Sequence, residues 1–460
     1  MMEKQQTDII IANGMVVSGS SIEPKTVVIK AGKILDTPEN VGAYNADQVI
    51  DAKGKFVLPG IIDAHLHPVY ADRIDTLSKA AVTGGITTLI PYVGAVKAWG
   101  QGGDLVESID AFIEEGETTS ILDFGVHCTF TQNDMAGVDH YIPTLIEKGI
   151  VSFKGFTAYK KRGMKLEDEE LLKIMGLIAR YNGVFATHCE NGPILDLLED
   201  SAIARGDVRP EHFPPTHPGI AEAEAVFRVL SLARISGCSM YLPHLSAKES
   251  LEVLELFKSW NRQTIYAETC PHYLAFTDEE LKRRGSLAKM SPPLRQQADV
   301  DALWQAVEGG AIDVIGSDAA GHVVASNEPL FDNIFAAPHG IPGLDTLFNF
   351  TYEMGVNGGR ITLPHLVKMT CENPAKIFGL YPRKGVLEKG ADADVVIFDP
   401  TIAHTIPDKN PYTHVDYSLY AGRQCLGAPA VVLQRGQVVM ENDEIKAKPG
   451  QGRFLAGQLT

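Results

Sequence analysis

The stretch Val57–Pro68, VLPGIIDAHLHP, carries an apolar run into two histidines, His65 and His67, set two positions apart. Alternate side chains of a β-strand share a face, so both imidazoles point the same way from the strand's carboxyl end. Two rings so placed suit a metal ion, and two histidines at a surface strand end fit the same pattern. Seven stretches of similar texture follow: ITTLIPYV, ILDFGVHC, GIVSFKGF, GVFATHCE, SMYLPHLS, TIYAETCP and IDVIGSDA. Helix-like segments such as DEELLKIMGLIARY and IAEAEAVFRVLSLARISG separate them. Repeated βα units of this kind predict an α/β fold, a (β/α)8 TIM-like barrel over residues 59–380, with its active site at the carboxyl ends of the strands. An open doubly wound sheet is the alternative, but no Gly-rich dinucleotide fingerprint follows any of these strands.

The two ends of the chain read differently. DIIIANGMVVSG has Asn-Gly between apolar runs and TVVIKAGKILD repeats the form, which predicts a small antiparallel sheet. The texture returns in ADADVVIFDP and APAVVLQRGQVVM. Residues 1–58 and 381–460 are therefore expected to build one β-sandwich domain together.

With 58 acidic and 41 basic residues the formal charge is −17, which argues against nucleic acid or an anionic membrane as partner. Met1–Thr7 is polar and no run of ~18 apolar residues could span a bilayer, so a cytoplasmic protein is expected. The six cysteines lack CxxC spacing and signal neither a disulfide framework nor a thiolate zinc knot. Any metal must then be held by histidine and carboxylate.

The strand ends supply such groups. His65 and His67 close the first stretch, Lys154 the fourth, His188 the fifth, His244 the sixth and Asp318 the eighth. Neutral imidazole and carboxylate oxygen suit zinc, manganese, nickel or cobalt. Taken singly, His188 and His244 fit hydrogen-bonded core histidines, and Asp318 fits a helix N-cap. Coincidence at so many strand ends is the harder explanation. Lys154 lies among apolar residues, where an ammonium is costly unless paired, neutralised or snorkelled to a salt bridge. A lysine amine that has taken up carbon dioxide becomes an anionic carbamate with two oxygens able to bridge two metals. His127 and His272 also sit near strand ends, as structural or supporting candidates.

The segments PGIIDAHLH, FKGFTAY, HCENG, PHLSAKES, MSPPLR, GSDAAGH and ENPAKIFGLYPRKGVLEKGADADVVIFDP extend over nearly the whole chain. In their order and spacing the chain resembles the cyclic amidohydrolases of the amidohydrolase superfamily, the dihydropyrimidinases, hydantoinases and allantoinases. It implies two divalent ions per chain, most simply zinc: one on His65, His67 and Asp318, the other on His188 and His244. N6-carboxylysine at Lys154 would bridge them. It further implies Asp318 as general base and then acid, and Tyr159 as donor to the carbonyl oxygen. Ser291 and the backbone around His339 would bind the edge of a small cyclic amide. The implied activity is ring opening of a hydantoin, dihydropyrimidine or related cyclic ureide or imide by a homo-oligomer, tetramer or dimer.

Three departures bear on specificity. His339 stands where dihydropyrimidinases carry asparagine, and Ala319 where many relatives have histidine. Val69 stands where dihydroorotases and many allantoinases have a carboxylate-reading arginine, although Arg73 lies nearby. The segment GSDAAGHVVASNEPLF is more similar to some bacterial hydantoinases. The rival readings are an allantoinase- or dihydroorotase-like enzyme and a non-catalytic assembly protein of the same fold. Retention of all six candidate ligands speaks against the latter.

Overall fold

A computed structural model describes residues 4–39, 41–323 and 332–459; the VASNEPLF part of the hydantoinase-like segment lies outside these residues. Each of the eight apolar stretches forms strand. They are Ile61–Asp63, Ile86–Leu89 continuing as Tyr92–Val93, Asp123–Phe124 continuing as His127–Thr129, Ser152–Phe156, Val184–His188, Ser239–Leu242, Ile265–Thr269 and Val314–Ile315. Neighbours pair in parallel, in one sheet of seven strands and one of three. Ser152–Phe156 and Val184–His188 are buried at every position, as expected of parallel strands covered on both faces. The covering helices are built for that face. Asp168–Ala179 opens with a Glu167/Glu170 capping box and turns Leu171, Ile174, Met175 and Ile178 inward at helical spacing.

The hydrogen-bond ladder does not run continuously around all eight strands. Between the first and the eighth it is reduced to a single bridge, Leu66 to Ala319. Ser317 adds two bonds between the same strands: its Oγ donates to Asp63 Oδ2 at 2.5 Å and its N–H to Asp63 Oδ1 at 3.1 Å. Asp318 has φ 49°, outside the extended region, so the eighth strand ends as it reaches the first.

The terminal segments form two sheets, one of four strands and one of seven, and the expected hairpin at Asn13-Gly14 is absent. Gln5–Ala12 and Met15–Val17 do not pair across Asn13-Gly14; each lies parallel to another strand, Tyr44–Asp51 and Phe56–Pro59 respectively. Asn13 takes φ 62°, and a Cβ on Gly14 would sit 2.5 Å from Val57 Cγ2, so the chain crosses here between sheets. The second expected hairpin forms, Val27–Lys30 against Lys33–Asp36, with Ala31 and Gly32 both at positive φ. One sheet of seven strands joins Met15–Val17, Ile22–Pro24 and Phe56–Pro59 to Val395–Thr405, Gln424–Gln434, Gln437–Glu441 and Glu444–Ile445. Buried Lys384 ties this region to the parallel strands, with Nζ 2.7 Å from Asp123 Oδ2 and 2.6 Å from Asp394 Oδ2. The six cysteines are buried and unpaired. Among the described residues no helix is long and apolar enough to cross a membrane.

Candidate metal centre

The first strand delivers its two histidines to the end of the eighth. His65 Nε2 stands 2.9 Å from Asp318 Oδ1 and His67 Nε2 3.3 Å from the same oxygen, so three donor atoms lie within 4.8 Å of one another. His65 is fully buried, and its Nδ1 meets Glu268 Oε1 at 2.5 Å. The contact with Glu268 fixes the orientation of the ring and turns Nε2 to Asp318. Glu268, at the end of the seventh strand, also accepts from Tyr241 Oη at 2.6 Å and from the His244 N–H at 2.9 Å.

A second pair stands beside the first. His188 gives Nε2 to Glu190 Oε2 at 2.9 Å and turns Nδ1 toward His244 Nε2, 3.1 Å away. His244 and His65 lie 5.3 Å apart, ring centre to ring centre. Tetrahedral ligands about 2.0–2.1 Å from zinc are roughly 3.3 Å from one another, so both groups have the spacing of a divalent ion's ligands. Lys154, 1% exposed, lines the same cleft with Nζ 4.3 Å from the centre of the Tyr92 ring, and the described residues give it no ion pair.

The protonation states agree with that chemistry. Burial holds the His67 pKa down at about 4 and that of His188 at about 3, so both rings are neutral at pH 7. Burial also lowers Lys154, to about 8, bringing the reactive free amine within reach of neutral pH. His65 differs: burial opposes its charge, yet Glu268 and then Asp318 raise it to about 9. Two carboxylates converging on one buried imidazole make a position that favours positive charge. Asp318 lies well below the usual carboxylate range, because His65 and His67 outweigh its burial.

A cleft opens over these groups, lined also by Val69, Tyr70, Trp99, Phe156, Tyr159 and Arg162. Tyr159 follows the Lys154 strand at φ 66°, its ring 4.8 Å from that of His188, and burial pushes its hydroxyl well above the usual phenol range. Ser291 Oγ and His339 Nδ1 are 2.6 Å apart on the cleft wall. Tyr70, Tyr159, His244 and Asp318 all have positive φ, a concentration of backbone strain at one site.

The six candidate ligands, Tyr159, Ser291 and His339 are thus at or beside one cleft, whereas Arg73 is turned away and paired with Glu115 at 2.6 Å. Arg73 therefore reads nothing in the cleft. His127 is buried against Ser152 Oγ and Ala64 O, and His272 is buried 3.5 Å from Tyr420 Oη; both stand apart from the ligand groups. The sequence reading missed Glu268, Glu190 and Arg162. The signal for the first two was present: an acid in an apolar strand, and an acid two residues after His188. Arg162 has no signature at all, being one of several cations in a polar loop.

Comparison with known proteins gives the same lineage. The amidohydrolase family matches residues 56–439. The chain is 34% identical to a D-hydantoinase of Ralstonia pickettii over 459 residues, 97% of this chain and 98% of that protein. It is 32% identical to an L-hydantoinase of Paenarthrobacter aurescens over 463 residues, with the same coverage of each. The structure superposes on a dihydropyrimidinase from Brevibacillus agri NCHU1002 with a TM-score of 0.92 at 30% identity, covering 98% of this chain and 99% of that one. The chain belongs to the amidohydrolase family, in the cyclic amidohydrolase group of hydantoinases and dihydropyrimidinases.

Proposed function

We propose that this chain hydrolyses the ring C–N bond of a hydantoin, dihydropyrimidine or related cyclic ureide or imide, on a (β/α)8 barrel spanning 59–380 beside a β-sandwich of 1–58 and 381–460. The observation that carries this reading is the convergence of His65, His67, His188, His244, Lys154 and Asp318 on the floor of one cleft. Divalent ions held there, most simply zinc with manganese, nickel or cobalt as alternatives, would supply Lewis acidity that brings water's deprotonation toward neutral pH. His65, His67 and Asp318 would hold one and His188 and His244 the other. Lys154, as its N6-carboxy derivative, would lie between them.

The protein's own groups divide the remaining work. Asp318, ionised and facing the cleft, accepts the proton of the attacking water and returns it to the departing ring nitrogen, a base that becomes an acid. Tyr159 stays protonated and donates to the substrate carbonyl oxygen as negative charge grows there. Ser291 and the backbone at His339 pair with the N–H and C=O edge of the ring. Val69 and Phe156 keep the wall apolar. The reading includes a homo-oligomer, tetramer or dimer, supported by the exposed apolar side chains Leu197, Ile220 and Ile235 on the helices Gly192–Arg205 and Gly219–Ser236.

The test is a panel of hydantoin, dihydrouracil, cyclic imides, allantoin and dihydroorotate, offered to metal-replete protein with its metal content measured. Close to two ions per chain and ring opening of the hydantoin, dihydrouracil or imide members are expected. Allantoin or dihydroorotate as the best substrate would transfer the assignment to the rival enzyme reading; no turnover would leave the assembly-protein reading.

A further inference from the structure

The loop at the cleft's edge, Tyr159–Lys165 (YKKRGMK), carries four cations, and they are not used alike. Lys161 is paired with Asp200 at 2.6 Å and Lys165 with Glu167. Arg162 turns to two aromatic residues of the cleft wall: its Nη2 donates to Tyr70 Oη at 3.1 Å, and its guanidinium carbon is 5.5 Å from the centre of the Tyr159 ring. Among the described residues it has no ion pair. Its direction is set by the backbone, since the turn Lys160–Arg162 is bracketed by Tyr159 at φ 66° and Gly163 at φ 71°. Asp318 is the one carboxylate among the described residues lining the cleft, and it is held by His65 and His67.

A guanidinium fixed by one hydrogen bond and one ring face keeps most of its planar fork free, and a carboxylate matches that fork with two parallel bonds. Depth fixes where such a carboxylate must sit. Lys154 is on the floor at 1% exposure, and Val69, an apolar neighbour of the ring's position, is 3% exposed, whereas Arg162 is at the open rim. The acid must therefore be carried outward on a substituent arm rather than on the ring.

We propose that Arg162 determines specificity by reading a carboxylate on a short side arm of the ring, so that the favoured substrates are hydantoins or dihydropyrimidines with an acidic substituent. This rests on the ring-opening reading above and goes beyond it in naming the substrate class.

The test compares an isosteric pair, 5-(2-carboxyethyl)hydantoin and 5-(2-carbamoylethyl)hydantoin, with wild-type holoenzyme and with Arg162→Gln and Arg162→Lys. Wild type should favour the acid in kcat/KM by about tenfold to a hundredfold, the range of a charge-assisted hydrogen-bonded pair. The preference should shrink as salt rises. Arg162→Gln should erase it, and Arg162→Lys, with charge but no fork, should keep part of it. Equal use of the two compounds by wild type, or a preference that survives in Arg162→Gln, overturns the proposal. Calorimetric binding of N-carbamoylglutamate against N-carbamoylglutamine separates this from a failure of the ring-opening reading. Selective binding of the acid that Arg162→Gln abolishes supports the role of Arg162 even in a protein that opens neither ring, and equal binding refutes it.

Discussion

His65 and Glu268 meet at 2.5 Å between Nδ1 and Oε1, and the same carboxylate oxygen accepts the His244 N–H at 2.9 Å. One buried acid thus orients a histidine of the first ligand group and the backbone of the second. Glu268→Gln keeps the shape but loses the charge that fixes the His65 tautomer. Metal affinity should fall roughly tenfold to a hundredfold, the usual cost of removing such a partner. Competition with a chromophoric chelator measures it, and unchanged affinity in a folded variant would remove Glu268 from this role.

Lys154 is buried among Tyr92, Phe156 and the histidines, with its pKa lowered by burial. Lys154→Ala should hold little metal and show almost no turnover. A short carboxylic acid added in solution should restore part of both. Full activity in the alanine variant would end the carbamate reading.

Tyr159→Phe removes a single hydroxyl beside His188. Its bond should strengthen as the oxyanion develops, so kcat should drop about 100-fold or more while KM moves much less. Steady-state kinetics on the best member of the substrate panel decides the matter; an intact kcat would show that another group donates to the carbonyl.

Acid should destabilise the protein through histidines that are not candidate ligands. His127 is held at about 3 and His217 and His272 at about 4, in each case by burial. The unfolded chain binds these protons below pH ~6.5 and the folded one does not, so their stability contribution is present above pH ~6.5 and is lost as the pH falls toward 4. Each ring contributes up to about 1.4 kcal/mol per pH unit in that window. A Tm that declines between pH 7 and 5, and declines less in His127→Phe, is expected; a flat profile contradicts it.

Lys384 is 2.6–3.1 Å from carboxylate oxygens of Asp123, Asp392 and Asp394. Lys384→Met would leave buried carboxylates without their counter-charge, a loss of about 3–5 kcal/mol. Thermal unfolding should show a marked fall in Tm, and an unchanged Tm would mean that the remaining cations there, Arg383 and Arg435, suffice.

The sequence by itself determined the parallel strands and the side chains that stand at their ends. Near-continuous apolar runs ending in histidine, lysine or aspartate mark strands buried on both faces, and their last residues reach the carboxyl end of the sheet, where a barrel's site lies. Tertiary structure decided what depends on contacts between distant segments. The Asn13-Gly14 pair reads locally as a hairpin, but packing of Gly14 against Ala52 and Val57 carries the chain into a second sheet. The meeting of the first and eighth strands was likewise decided by distant segments, since Asp318 leaves the extended region to face His65 and His67. Arg73 and Arg162 show the same limit at the site. Both are arginines near a motif, yet Glu115 draws one away while Tyr70 and the Tyr159 ring hold the other over the cleft. A side chain's charge is written in the sequence, whereas its partner is chosen only when the fold brings candidates within hydrogen-bonding distance.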